Sequence, residues 1–141
     1  MAADWVIAEH EFVDYWERFG KLADVFKFED AREAMGLTSR KVFTKEQPSD
    51  YLVTHDGHTF YAEVKSCSSK TSFALQNIRD GQWRRARLVT AAKGSYFFFI
   101  KSEVRQEWFN VPASYFLTLD KNGIKSVKWE DLSQYYMEMK A

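Results

Sequence analysis

The sequence predicts an α/β fold, a mixed central sheet flanked by helices, in a single domain over residues 1–141. Three observations carry that prediction. YLVTHDGHTFYAEVKS places two β-rich runs on either side of Asp56-Gly57, a strong hairpin signal. SYFFFIK at 95–101 is a continuous apolar run of the kind that forms a strand covered on both faces. Two segments, 6–19 and 79–92, carry helical patterning on either side of these strands.

Taken in order, Val6, Ile7, Phe12, Val13, Trp16 and Phe19 recur at three- and four-residue steps, an amphipathic helix that Gly20 ends. ADVFKF (23–28) suits a short strand. Residues 29–47 are polar and without a clear period, which predicts a short helix near 30–35 and then an exposed arm. Strands follow at 51–55 and 59–66, and 67–78, rich in Ser and Lys, reads as a loop. RDGQWRRARLVTAA (79–92) reads as a helix that Gly94 closes. After the strand at 95–101, EWFNV (107–111) is a further strand. Pro112 opens a short helix to Leu119. Lys121-Asn122-Gly123 is a turn, 124–128 a short strand and 129–139 a C-terminal helix.

The 141 residues are 45% hydrophobic, 17% aromatic and 28% charged, a composition with ample material for a core. No apolar run approaches the ~20 residues of a membrane span, and the acidic N-terminus lacks the pattern of an export signal. The single cysteine, Cys67, fits a reducing cytoplasm. Net charge is zero but unevenly spread. Residues 64–101 carry 8 basic and 1 acidic side chains, against 7 and 13 in residues 1–63. Such a block is either a solvated face or a polyanion contact surface, and charge alone leaves both open.

Candidate chemistry concentrates on the hairpin. Glu63 and Lys65 are two apart on one strand and share a face, and the turn can bring Asp50 beside them. Two carboxylates and an ammonium suit phosphodiester hydrolysis. Hard oxygen donors hold Mg²⁺, the ion activates water and phosphate, and the lysine orients the nucleophile or meets developing charge. The carbonyl of Val64 is a possible further ligand. An E-x-K pair also makes an ordinary ion pair, and an Asp after Pro-Ser also makes a turn or cap. The spacing alone leaves both readings open. His10, His55 and His58 show no metal-ligand spacing, and the five tryptophans read as core or dimer contacts.

PSD (48–50) followed by EVK (63–65) resembles the PD-(D/E)XK nuclease pattern. KTSFALQNIRDGQ (70–82) resembles the segment that follows the E-x-K in RecU-type Holliday junction resolvases. That family's histidine position is Gly81 here, and Gln82 keeps its glutamine. The strand FFFIK and the later LDKNGIKSVKWEDL (119–132) match the same order, so the likeness covers about residues 5 to 132.

The resemblance implies a restriction-endonuclease-like fold with a projecting stalk at about 29–47. It implies Asp50 and Glu63 as metal ligands, beside which the Val64 carbonyl is the possible further one, and Lys65 as the catalytic lysine, with Gln82 and Glu9 completing the catalytic set. Glu11 is the rival of Glu9, about 200° around the helix, so one of the two is expected to face the site. DNA contacts are implied for Arg32, Arg40, Lys41 and Lys45 on the stalk, and for Lys70, Thr71, Ser72 and Arg84 behind the site. The implied activity is Mg²⁺-dependent resolution of four-way DNA junctions by a homodimer, with Mn²⁺ able to substitute. No membrane and no small-molecule cofactor are involved, and the setting is the cytoplasm of a bacterium or a phage-infected host. Two alternatives share the fold: a restriction-like or repair nuclease acting on duplex or branched DNA, and an inactive DNA-binding module.

Overall fold

The computed structural model describes residues 2–28 and 47–139. The predicted short helix near 30–35 and nearly all of the predicted stalk, with Arg32, Arg40, Lys41 and Lys45, lie outside the described residues.

The chain opens with α1 (Asp4–Glu17), followed by β1 (Ala23–Lys27), β2 (Tyr51–His55) and β3 (His58–Cys67). Asp56 and Gly57 join β2 to β3 with φ of 52° and 75°. Positive φ at both central residues is what a two-residue hairpin turn of right-handed twist needs, and Asp-Gly supplies it cheaply. The register pairs Tyr51 with Ala62 and His55 with His58. After β3 come β4 (Ser72–Ala74), α2 (Asp80–Ala91), β5 (Tyr96–Ser102), β6 (Glu107–Pro112), α3 (Ala113–Lys121), β7 (Ser126–Lys128) and β8 (Tyr136–Met137).

The main sheet runs β1-β2-β3-β5-β6-β8, and β4 pairs with β7 in a separate two-stranded ribbon. β3 and β5 are parallel, and the other neighbours in the main sheet are antiparallel. The parallel pair requires a long crossover, which α2 provides. The sheet is therefore mixed, as the sequence predicts.

The core lies on both faces. On one, Ala8, Phe12 and Trp16 of α1 pack against Tyr51, Val53, Phe60, Ala62, Phe99 and Trp108. On the other, Phe98, Ile100, Phe109 and Val111 meet Ala86, Phe116, Phe73, Trp129 and Leu132. Alternation along β5 sends Phe99 to the first face and Phe98 and Ile100 to the second. That explains why its sequence is apolar without a period.

Two expectations are corrected. Residues 67–78 are not all loop, because 72–74 form β4 and 75–77 a 3₁₀ turn. Residues 129–139 are not an α-helix. Trp129–Tyr135 is 3₁₀, and Tyr136–Met137 is a strand on β6. Trp129, Leu132 and Tyr135 recur every three residues, which matches the 3.0-residue turn of a 3₁₀-helix. Trp129 and Leu132 are fully buried by it.

Candidate active site

The β2–β3 register explains the thirteen-residue spacing of the two acids. Tyr51 pairs with Ala62, so one step further along the antiparallel ladder sets Asp50 opposite Glu63. Alternation then puts both carboxylates on the face away from α1. The Asp50 N–H donates to Glu63 Oε1 at 2.8 Å, and the Val64 N–H donates to Asp50 Oδ2 at 2.9 Å. Each acid is thus held by the other's strand. The segment before β2 is pinned as well. Phe28 N–H donates to the Asp50 carbonyl at 3.0 Å, and the Tyr96 hydroxyl donates to the Pro48 carbonyl at 2.9 Å.

Gln82 closes the site from the first turn of α2. Its Oε1 accepts from Lys65 Nζ at 2.7 Å and from the Arg79 N–H at 2.9 Å. The second bond caps the helix start, as a residue at this position does in a capping box. The Gln82 amide donates to Glu63 Oε2. A residue that caps a helix therefore also ties the lysine to the acid. Lys65 Nζ makes a further bond to the Asn77 carbonyl at 3.0 Å.

Burial dominates the electrostatics. Glu63 is only 2% exposed. Burial, with the neighbouring Asp50 charge, pushes its carboxyl up to about 8, against the pull of Lys65. Burial raises Asp50 too, partly offset by the Val64 N–H and reinforced by Glu9. Lys65 is lowered by burial, against the attraction of both acids. The group is short of positive charge where two carboxylates converge.

Glu9 reaches this region from α1. Its Oε1 accepts from the Tyr51 hydroxyl at 2.6 Å and lies 3.7 Å from Lys27 Nζ. Glu11 takes a different partner, the buried ammonium of Lys101 on β5, at 2.5 Å. Both glutamates meet the sheet, but at separate strands, and Glu9 is the one beside Asp50.

The donor chemistry fits a hard divalent cation. It comprises the buried carboxylate of Glu63, the half-buried one of Asp50 and the backbone of Val64, whose carbonyl points to the same strand edge as its N–H. Among the described residues no group of three His, Cys, Asp or Glu side chains is gathered tightly enough to form a protein-only metal cage.

The other expected DNA contacts are more dispersed. Lys70 and Thr71 are exposed beyond the end of β3. The Thr71 carbonyl accepts the Trp129 N–H at 3.2 Å, and Ser72 begins β4. Arg84 is exposed on α2. Tyr51, Asn77 and Arg79 belong to the site's bonding but were not expected from sequence. Asn77 and Arg79 act through main-chain groups, which leave no trace in residue type. Tyr51 could have been found from its place next to Asp50, on the opposite face of the strand and hence toward α1.

A family model described as Recombination protein U matches residues 23–141. A Holliday junction resolvase RecU of Bacillus subtilis (strain 168) is 33% identical over 106 residues, 73% of this chain and 51% of that protein. Its counterpart in Bacillus cereus (strain B4264) is 24% identical over 115 residues, 79% of this chain and 58% of that protein. The chain spans little more than half the length of these relatives. Among solved structures, Archaeoglobus fulgidus Hjc, a Holliday junction resolvase, superposes with a TM-score of 0.54 at 9% identity. The match covers 94% of this chain and 92% of that one. That likeness is one of fold, and the fold is restriction-endonuclease-like.

Proposed function

The chain belongs to the Recombination protein U family, and from that premise we propose that it is a Mg²⁺-dependent endodeoxyribonuclease that resolves four-way DNA junctions as a homodimer. The observation that carries this reading is the bonded array of Asp50, Glu63, Lys65 and Gln82 on one sheet face. An isolated E-x-K ion pair needs neither a second acid bonded to it nor a glutamine holding both members.

Asp50, Glu63 and the Val64 carbonyl would hold Mg²⁺. The ion would supply charge neutralisation for the paired carboxylates and Lewis acidity toward phosphate and water. Lys65, fixed by Gln82 and the Asn77 carbonyl, offers its ammonium to the attacking water or to the charge growing on phosphate. Gln82 keeps that ammonium in register with Glu63. Glu9 adds negative charge on the far side of Asp50 and is anchored by Tyr51. Lys70, Thr71, Ser72 and Arg84 are the phosphate contacts of this reading. Arg32, Arg40, Lys41 and Lys45 would serve the junction centre from the segment at 29–47. Mn²⁺ substitutes for Mg²⁺ in the same oxygen donor set, and the setting is the bacterial or phage-infected cytoplasm.

The test is cleavage of a synthetic four-way junction and a matched linear duplex with Mg²⁺. Wild type is expected to cut the junction with paired nicks and to leave the duplex largely intact. Asp50→Asn is expected to bind the junction but lose cleavage by at least about a hundredfold, as loss of a metal-holding carboxylate implies. Binding without any cleavage by wild type would leave a DNA-binding module. Equal cleavage of both substrates would leave a duplex nuclease. Deleting residues 29–47 is expected to abolish junction preference.

A further inference from the structure

A cleft of about 540 Å³ is bounded by β4, the first turn of α2, the end of α3 and β7. It is lined by Leu75, Gln76 and Trp83 on one side and by Asp120, Ile124 and Lys125 on the other. Nothing in the reading above uses it. Two chain steps tie it to the site. Gln76 precedes Asn77, whose carbonyl accepts from Lys65, and Trp83 follows Gln82, which holds Lys65 and Glu63. Consecutive Cα atoms are only ~3.8 Å apart, so the backbone that lines the cleft runs directly into the backbone that positions the partners of Lys65 and Glu63.

The lining is mixed in a way that suits one class of ligand. Trp83, half-buried against the core, and the exposed Ile124 give the cleft apolar walls, and the indole of Trp83 is flat enough to take a ring. Trp83 is half-buried, unlike the fully packed Trp16, Trp108 and Trp129. Lys125 supplies a cation, and Gln76 and Ser126 supply neutral hydrogen-bonding groups. Asp120 would repel a phosphate, but it can accept from a base amino group. The volume lies within the ~300–1,000 Å³ of small-ligand sites.

We propose that this cleft is a nucleobase subsite, in which Trp83 stacks on one unpaired nucleotide next to the phosphate to be cut while Lys125 meets its backbone. The proposal rests on the active-site reading for the cleft's position along the strand. Junction centres supply such nucleotides, because bases there unstack at lower cost than inside a duplex, and stacking on an aromatic ring tolerates any base.

The test uses the full chain and four-way junctions carrying 2-aminopurine at successive nucleotides around the crossover, in Ca²⁺ buffer, so that binding is read without turnover. Stacking on an indole quenches this base. Wild type is expected to quench one position selectively. Trp83→Ala should abolish that quenching and weaken junction binding roughly tenfold, and Trp83→Phe should restore part of both. Ile124→Glu, at a position 40% exposed, should block the cleft and mimic Trp83→Ala, with an unchanged melting midpoint as the check on folding. Position-independent signals, or quenching that survives both Trp83→Ala and Ile124→Glu, would overturn the subsite while leaving the nuclease reading intact. Ile124→Glu that alters the sedimentation mass but not the quenching would assign the cleft to a protein contact instead. Failure of wild type to bind any junction would defeat the functional reading, and the subsite with it.

Discussion

At the scale of single residues, Glu63 carries the largest consequence. Its carboxyl sits among Asp50, Lys65 and Gln82 at 2% exposure, pushed up to about 8 by burial and by Asp50. The folded state thus holds this proton more tightly than the unfolded chain, whose value is 4.5. The associated stability is present below about pH 4.5 and is lost as pH rises toward 8. Asp50 is displaced in the same direction, chiefly by its own burial. Without divalent ions, the thermal midpoint is expected to fall between about pH 5 and pH 8.5. Glu63→Gln, which keeps the shape and removes the charge, should flatten that fall. Mg²⁺ should raise the wild-type midpoint most at the alkaline end, where both acids are ionised, because a ligand of the native state stabilises it by mass action. Melting curves at several pH values, with and without Mg²⁺, read all three effects. Parallel curves for wild type and Glu63→Gln would show that the buried acid is not the source.

At the scale of elements, the C-terminal segment separates what sequence reveals from what it hides. The hairpin was legible because Asp56-Gly57 acts locally, and the positive φ of both residues is a property of those two residues. The convergence of Asp50, Glu63 and Lys65 on one face was legible because strand alternation and the hairpin register follow from the same signal. β4 was not legible. Its partner β7 lies more than fifty residues away, and Ser72-Phe73-Ala74 has no strand pattern of its own. The 3₁₀ turn at Trp129–Tyr135 was misread because apolar residues three apart also fit an α-helix over so short a span. Packing decides it. Trp129 donates its indole N–H to the Ser69 carbonyl at 3.0 Å, and Leu132 is fully buried beside it. Leu132→Ala should therefore cost about 2–5 kcal/mol, whereas Gln134→Ala, two residues on and exposed, should stay within about 0.5 kcal/mol. Urea unfolding of the two variants measures the contrast. Equal stabilities would mean that the segment does not close the core on that face.

At the scale of the whole molecule, the proposed reaction asks for two sites. A four-way junction is opened by paired cuts in two symmetry-related strands, and one chain carries one Asp50–Glu63–Lys65 set. A two-fold pair of chains supplies two such sets in opposite sense. The edge of the sheet is the natural place to look for the contact. Among the described residues β1 has a strand neighbour on one side only, β2. Leu22 and Phe26 stand 75% and 55% exposed beside that edge. An open edge with large apolar side chains is costly to leave in water unless something covers it. A charge at this edge is the device by which monomeric sheets avoid pairing, so Phe26→Lys should shift the chain toward monomer at concentrations where wild type is dimeric. It should also separate the two cuts in time, giving nicked junctions before resolved ones. Since Phe26 lies outside the bonding of Asp50, Glu63, Lys65 and Gln82, single-nick chemistry should survive. Sedimentation equilibrium beside a cruciform plasmid assay reads both effects. A Phe26→Lys variant that stays dimeric and resolves junctions in step would move the interface away from β1, and a wild type that is monomeric on the junction would remove the dimer from the mechanism.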